Sequence, residues 1–141
     1  WWTKEDFAHF EEEAARLIRQ YDAYRPFPDL AVNGRLTLSE NIADVAGLAV
    51  AYEAYRLSLL GQEAPVVQGL TGDEQFFLSY AQSWREKSRE ARLRRQVLTD
   101  GHAPGAYRAN AVRNLDAWYV AFAVKPGQAL FLAPQDRVRV W

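Results

Sequence analysis

The stretch Leu36–Tyr55, LTLSENIADVAGLAVAYEAY, predicts a helix that is apolar on nearly every side and carries two acids near its start. Glu40 and Asp44 stand four residues apart, so they share one face of that helix. The nearest basic residues in the sequence, Arg35 and Arg56, lie outside the centre of the segment. A helix of this composition is normally buried on most sides, where an unpaired carboxylate is costly. The acidic pair therefore raises the question of what compensates the two charges, since no cation is evident nearby in the sequence.

The remaining periodicity and turn signals predict a mainly α fold. Thr71 and Glu74 form a capping-box pattern ahead of one of the helices. Residues 124–141 contain alternating apolar residues around Gly and Pro. This pattern predicts an irregular or short β-like tail that packs on the rest of the chain. Four helical segments are predicted: Thr3, as N-cap, to Tyr24; about Thr37 to Leu60; about Asp73 to Leu98; and from a cap at Asn114 to about Phe122.

Composition limits the classes of protein that fit. With 141 residues and 49% hydrophobic content, residues 1–141 can form one domain unit with a core. The net charge of −1 provides no overall field toward nucleic acid or an anionic membrane, and no apolar run reaches the roughly 18 residues of a membrane helix. The absence of cysteine excludes disulfides and thiolate zinc sites. A chain without Met that opens on two tryptophans indicates a fragment.

Local pattern alone leaves two interpretations of the acidic pair. In the first, Thr37 and Glu40 form a capping box, and Asp44 pairs with an arginine or histidine elsewhere. In the second, one acid binds a metal ion and the other accepts a hydrogen bond from a metal-bound histidine. Gly47 lies on the same stripe, and because glycine is unfavourable inside a helix, it predicts a close approach by another backbone.

Two further segments carry candidate chemistry. The loop LTDGHAPGAYR contains His102, preceded by Asp100 and followed by Arg108; a lone loop histidine is most often solvated. The segment FFLSYAQSW ends on Trp84, for which core packing is the ordinary role. A basic cluster follows, but Glu86 and the later Glu90 interleave with it at helical spacing, which favours a solvated face over a nucleic-acid site. The cluster comprises Arg85, Lys87, Arg89, Arg92, Arg94 and Arg95.

Three motifs in this order, VNGRLTLSENIADVAGL, FFLSYAQSW and TDGHAPGAYR, resemble the neprilysin family of zinc peptidases. The likeness extends from the initial WW to the closing RVRVW, where Val138 replaces a cysteine common in eukaryotic members; that departure indicates a bacterial-type member. The resemblance implies the helical C-terminal part of a gluzincin-type catalytic domain. It also implies roles for single residues: Glu40 as zinc ligand, Asp44 orienting a zinc-bound histidine, His102 stabilising the oxyanion, Arg108 binding a substrate carbonyl, and Trp84 lining a specificity pocket.

The same resemblance indicates what this chain lacks. It has no HExxH motif, which supplies two zinc ligands and the general base in such enzymes. The implied cofactor is one Zn²⁺ whose other ligands come from a preceding portion of the enzyme, on the same chain or on a partner chain after cleavage. The predicted function is hydrolysis of oligopeptides, outside the cytoplasm as in most family members. The alternative is a non-catalytic helical interaction domain derived from the same fold.

Overall fold

Six α-helices and two 3-10 segments form the regular structure of residues 2–139, the part of the chain that the computed structural model describes. The mainly α prediction is confirmed, and within this range only two isolated β-bridges occur, without a sheet. Trp1 and Trp141, where the family resemblance begins and ends, lie outside the described residues. The α-helices are α1 (Lys4–Asp22), α2 (Leu38–Ser58), α3 (Gly72–Ser83), α4 (Glu90–Thr99), α5 (Gly105–Arg108) and α6 (Asp116–Ala121); the 3-10 segments are Ala109–Asn114 and Pro134–Asp136.

Side-chain caps fix the starts of α1 and α3 as predicted. The Thr3 hydroxyl accepts from the Asp6 amide at 3.1 Å, and Asp6 accepts from the Thr3 amide at 2.9 Å. Thr71 and Glu74 make the same reciprocal pair at the start of α3. Both sites are capping boxes, in which two unpaired amides of the first turn find partners.

The core forms where α1 and α2 pack together and are covered by the segment that follows α5. Gly34 fixes the start of α2 against α1, because a Cβ there would lie 2.2 Å from the carbonyl oxygen of Ile18. The core side chains share near-complete burial: Leu17, Tyr21, Val32, Val45, Leu48, Phe77, Ala103, Ala111, Val112, Leu115 and Val138.

One side of α2 is open, which contradicts the expectation of burial on most sides. Val45 and Leu48 are buried, but Val50 is 67% exposed and Leu57 75% exposed. Gly47 is exposed as well, and a Cβ added to it would meet no atom within 4 Å. The predicted close approach of another backbone at Gly47 is therefore wrong for the described residues of this chain.

The predicted helix over residues 73–98 is interrupted. It ends at Ser83, and a second helix begins only at Glu90. Between them, the carbonyl oxygen of Trp84 and the side chain of Glu86 lie against Gly105, a contact that a continuous helix could not make. The predicted pairing of Glu86 within a helix is wrong for this reason, whereas Glu90 does pair with Arg94 at 2.8 Å.

The tail packs on the body through Asn114 and Val138. Asn114 is not the helix cap that was predicted; Leu115 occupies that position, because Asn114 is buried and engaged elsewhere. Its side-chain oxygen accepts from the Val138 amide at 2.8 Å, and its amide group donates to Gln20 at 3.1 Å. The described tail is irregular apart from one 3-10 turn, as predicted. No helix among residues 2–139 is both long and apolar enough to cross a membrane.

Candidate active site

Four side chains from separate parts of the sequence meet beside the first two turns of α2. Glu40 and Asp44 project from α2, His102 comes from the loop before α5, and Arg108 is the last residue of α5. His102 Nε2 lies 3.2 Å from Glu40 Oε2, and the Arg108 guanidinium contacts Asp44. The fold thus joins two motifs that are more than 50 residues apart in the sequence.

Asp44 and Arg108 form a two-point ion pair with little exposure to water. Arg108 Nε donates to Asp44 Oδ2 and Nη2 donates to Oδ1, both at 2.7 Å. The two side chains are 8% and 16% exposed, respectively. The Asp44 carboxylate, through these hydrogen bonds, raises the pKa of Arg108. Because a guanidinium has five N–H donors and this pair uses two, Arg108 retains donors for another acceptor.

Glu40 is the less protected of the two acids. The predicted capping box with Thr37 is absent. Thr37 has a φ of −96° and a ψ of 4°, and its hydroxyl donates to the Asn33 carbonyl and accepts from Asn41. The Glu40 side chain is 38% exposed, and its ion-pair partner among the described residues is His102. The carboxylate is therefore not used by the start of its own helix.

Asp100 holds the His102 ring from the side opposite to Glu40. Asp100 Oδ1 lies 2.8 Å from His102 Nδ1 and accepts from the His102 amide at 2.9 Å. These bonds, the amide first, lower the pKa of Asp100. Carboxylate oxygens thus face both ring nitrogens. The arrangement suits a histidine that donates from Nε2.

The Trp84 ring packs against the guanidinium of Arg108. The guanidinium carbon lies 4.0 Å from the centroid of the Trp84 ring, within cation–π range. Tyr80, one turn earlier on α3, donates from its hydroxyl to the carbonyl oxygen of Arg108 at 3.1 Å. The side chain and the backbone of Arg108 are therefore both held by the end of α3.

The acidic and histidine side chains of this cluster could supply one ligand to a metal ion, but they could not hold the ion by themselves. Among residues 2–139, no group of three or more His, Cys, Asp or Glu side chains could hold a metal ion. Catalytic zinc typically has three protein ligands and a water. Glu40 can supply one carboxylate oxygen, and the further ligands would have to come from outside this chain.

All five residues singled out in the sequence, Glu40, Asp44, Trp84, His102 and Arg108, lie in this one cluster. The structure brings Glu40 to His102, and it brings Asp44 and Trp84 to Arg108. Sequence reasoning missed Tyr80 as a support of Arg108 and assigned Glu86 to a helical pair. Tyr80 lies four residues before Trp84 and therefore on the same face of the helix, and this spacing could have indicated its role. No local signal indicated the contact of Glu86 with Gly105.

Comparison with known proteins places this helical fold in the class of peptidases. The chain belongs to Peptidase family M13, which it matches over residues 1–138. It is 35% identical to a neutral endopeptidase of Lactobacillus helveticus over 142 aligned residues, covering 100% of this chain and 20% of that protein. It is 41% identical to human endothelin-converting enzyme-like 1 over 111 residues, covering 77% of this chain and 14% of that protein.

A solved structure shows the same fold. The crystal structure of the Mycobacterium tuberculosis zinc metalloprotease Zmp1 in complex with an inhibitor superposes with a TM-score of 0.95 at 47% identity. The match covers 99% of this chain and 22% of Zmp1. The chain thus spans about a fifth or less of the length of the relatives it matches. The family implies zinc, and the residues of this chain fit it as one ligand and its surroundings.

Proposed function

We propose that this chain is the C-terminal part of the catalytic domain of a zinc metalloendopeptidase that hydrolyses oligopeptides. The observation that carries the proposal is the free start of α2, where Glu40 caps nothing and faces His102 across 3.2 Å. Glu40 is the third zinc ligand, beside two histidines of an HExxH motif on the preceding portion. When bound there, zinc would supply the Lewis-acid chemistry that activates water and polarises a scissile carbonyl.

Asp44 and His102 serve the chemistry without binding the metal. Asp44 lies one helical turn beyond Glu40, so its carboxylate can accept the outer N–H of a ligand histidine and fix the orientation of its ring. A carboxylate oxygen has more than one lone pair, so this role is compatible with the bond to Arg108. His102 donates from Nε2 to the oxyanion that develops on the former carbonyl oxygen. Such a donor typically contributes about 3 kcal/mol to transition-state stabilisation.

Arg108 and Trp84 bind the substrate. Arg108 is fixed through Nε and Nη2 by Asp44, which leaves Nη1 to donate to a peptide carbonyl. Trp84 supports the guanidinium from below and presents the rest of its ring to a substrate side chain. A clamp that is already ordered loses little entropy when it binds a peptide.

The partner of this chain is the HExxH-bearing portion of the same enzyme, either on one polypeptide or as a separate chain after cleavage. The surface that fits it is the apolar stripe of α2, defined here as Ala43, Gly47, Val50, Ala54 and Leu57. These residues are all exposed and recur at alternating intervals of four and three. Small residues at such a stripe allow close approach of a second helix. We place the complete enzyme outside the cytoplasm, as in most members of the neprilysin family.

The experiment is Glu40→Gln in the complete protein, with Glu53→Gln as the matched control on an exposed position of the same helix. We expect zinc content to fall well below the parent's value of about one equivalent, because one of three protein ligands is lost. Peptidase activity should fall by more than the roughly 100-fold that loss of a supporting residue can cause. The control should retain both. Unchanged zinc and activity in Glu40→Gln would refute the assignment, and a zinc-free, inactive parent would favour the interaction domain.

A further inference from the structure

The non-helical segment between α3 and α4 packs against Gly105, the first residue of α5. Glu86 Oε1 accepts a hydrogen bond from the Gly105 amide at 2.9 Å. Gly105 is buried and lies three residues after His102 and three before Arg108. The bond therefore holds the midpoint of the segment that carries both side chains.

The fit at Gly105 leaves no room for a side chain. A Cβ on this residue would lie 2.6 Å from the Trp84 carbonyl oxygen and 3.2 Å from Glu86 Oε1. The first of these neighbours is backbone and cannot rotate away. Gly105 thus packs directly on the residues that follow α3, and the Glu86 carboxylate makes a second contact with it.

Trp84 connects this contact to the substrate clamp. Its carbonyl oxygen faces Gly105, while its ring lies 4.0 Å from the Arg108 guanidinium carbon. The two segments are therefore joined at two points, once through the backbone and Glu86 and once through the Trp84 ring. Loss of the first contact would let the loop shift relative to the second.

We propose that Glu86 is a positioning residue that fixes His102 and Arg108 relative to Glu40 and Asp44 by holding the amide of Gly105. The inference rests on the proposed function for its effect on catalysis, but the contact itself does not. An ionised carboxylate suits this task, because its bonds to N–H donors are shorter and stronger than those of neutral acceptors. Without it, the amide of a buried residue would lose its partner.

Kinetics of the complete enzyme provide the first test. Glu86→Ala should lower kcat by about tenfold, the effect of losing one hydrogen bond to a charged group. Glu86→Gln retains a side-chain oxygen and should restore kcat to within about threefold of the parent. Lys87→Ala, on the adjacent exposed residue, should match the parent in kcat and in unfolding midpoint. A kcat for Glu86→Ala equal to that of Lys87→Ala, or no rescue by Gln, would overturn the proposal.

Amide hydrogen exchange tests the contact independently of activity. Peptides covering residues 101–108 should exchange faster in Glu86→Ala than in the parent, Glu86→Gln or Lys87→Ala. Gly105→Ala should produce the same increase, because its Cβ displaces the loop from Trp84. Unchanged exchange in Glu86→Ala overturns the inference even if the enzyme is active. If the parent has no peptidase activity, the proposed function fails, and the exchange comparison alone decides whether Glu86 holds the loop.

Discussion

The ion pair between Asp44 and Arg108 separates the functions of the two acids on α2. With both oxygens of Asp44 bonded to one guanidinium, that carboxylate is neutralised within the chain. Glu40 has no comparable partner and remains the acid available to an external cation. Two carboxylates with the same chemistry thus acquire different roles because only one of them faces an arginine.

Arg108→Ala should destabilise the complete protein by about 3 kcal/mol, because it removes the guanidinium that pairs with the largely buried Asp44 carboxylate. The double variant Asp44→Asn, Arg108→Ala should recover much of this loss, since no buried charge remains. Arg94→Ala is the control: its pairs with Asp29 and Glu90 are exposed, so its cost should be about 1 kcal/mol or less. Urea unfolding followed by tryptophan fluorescence measures all three. Equal losses for Arg108→Ala and Arg94→Ala would contradict the prediction.

At the scale of the elements, local sequence signals predicted the starts of α1 and α3. Contacts with other residues explain the two departures, at Thr37 and after α3. The Thr3 and Thr71 hydroxyl groups cap their helices by accepting from the Asp6 and Glu74 backbone amides. Thr37 has the same sequence signature, but its hydroxyl donates to the Asn33 carbonyl and accepts from the Asn41 side-chain amide. Periodicity could not reveal the break after α3, because the segment at the break contacts Gly105, about 20 residues further along the chain. The five residues that meet at the candidate site each lie in a distinctive motif, whereas Glu86 does not.

The α3 capping box predicts a pH dependence. Hydrogen bonds from the Thr71 amide and hydroxyl lower the pKa of Glu74 below its ordinary value. A folded-state pKa below the unfolded one gives stability that is present above the unfolded pKa and is lost as pH falls through the folded pKa. The complete protein should therefore lose more stability on acidification below about pH 4.5 than Glu74→Gln does. Parallel curves for the two proteins in urea unfolding from pH 6 to pH 3 would contradict this.

At the scale of the whole molecule, the open side of α2 and Glu40, the proposed zinc ligand, lie on the same helix. Glu40 is near its start, and the apolar stripe runs from Ala43 to Leu57 along the exposed side. Under the proposed function, packing of the HExxH-bearing portion on this stripe would bring the other zinc ligands to the helix that carries Glu40. The helix would then join two parts of a single catalytic domain.

Gly47→Leu should reveal this packing in the complete protein. Within this chain the new side chain has open space and improves the helix propensity of α2. Against a docked second helix, however, it would overpack the interface and cost about 1–3 kcal/mol. Glu11→Leu, which adds the same side chain to an exposed position of α1, is the control and should leave the melting temperature near the parent's. A melting temperature for Gly47→Leu at or above that of the parent would exclude close packing at Gly47.

The apolar stripe has a further consequence for the cell that makes this protein. If the HExxH-bearing portion covers this stripe as proposed, the side chains of the stripe face water until then, with Val50 and Leu57 largely exposed. Such patches recruit chaperones and other unfinished chains. We therefore expect the yield of soluble protein to depend on how soon after synthesis the two portions meet. Proteostasis, as much as catalysis, would then select for small residues that let them close quickly.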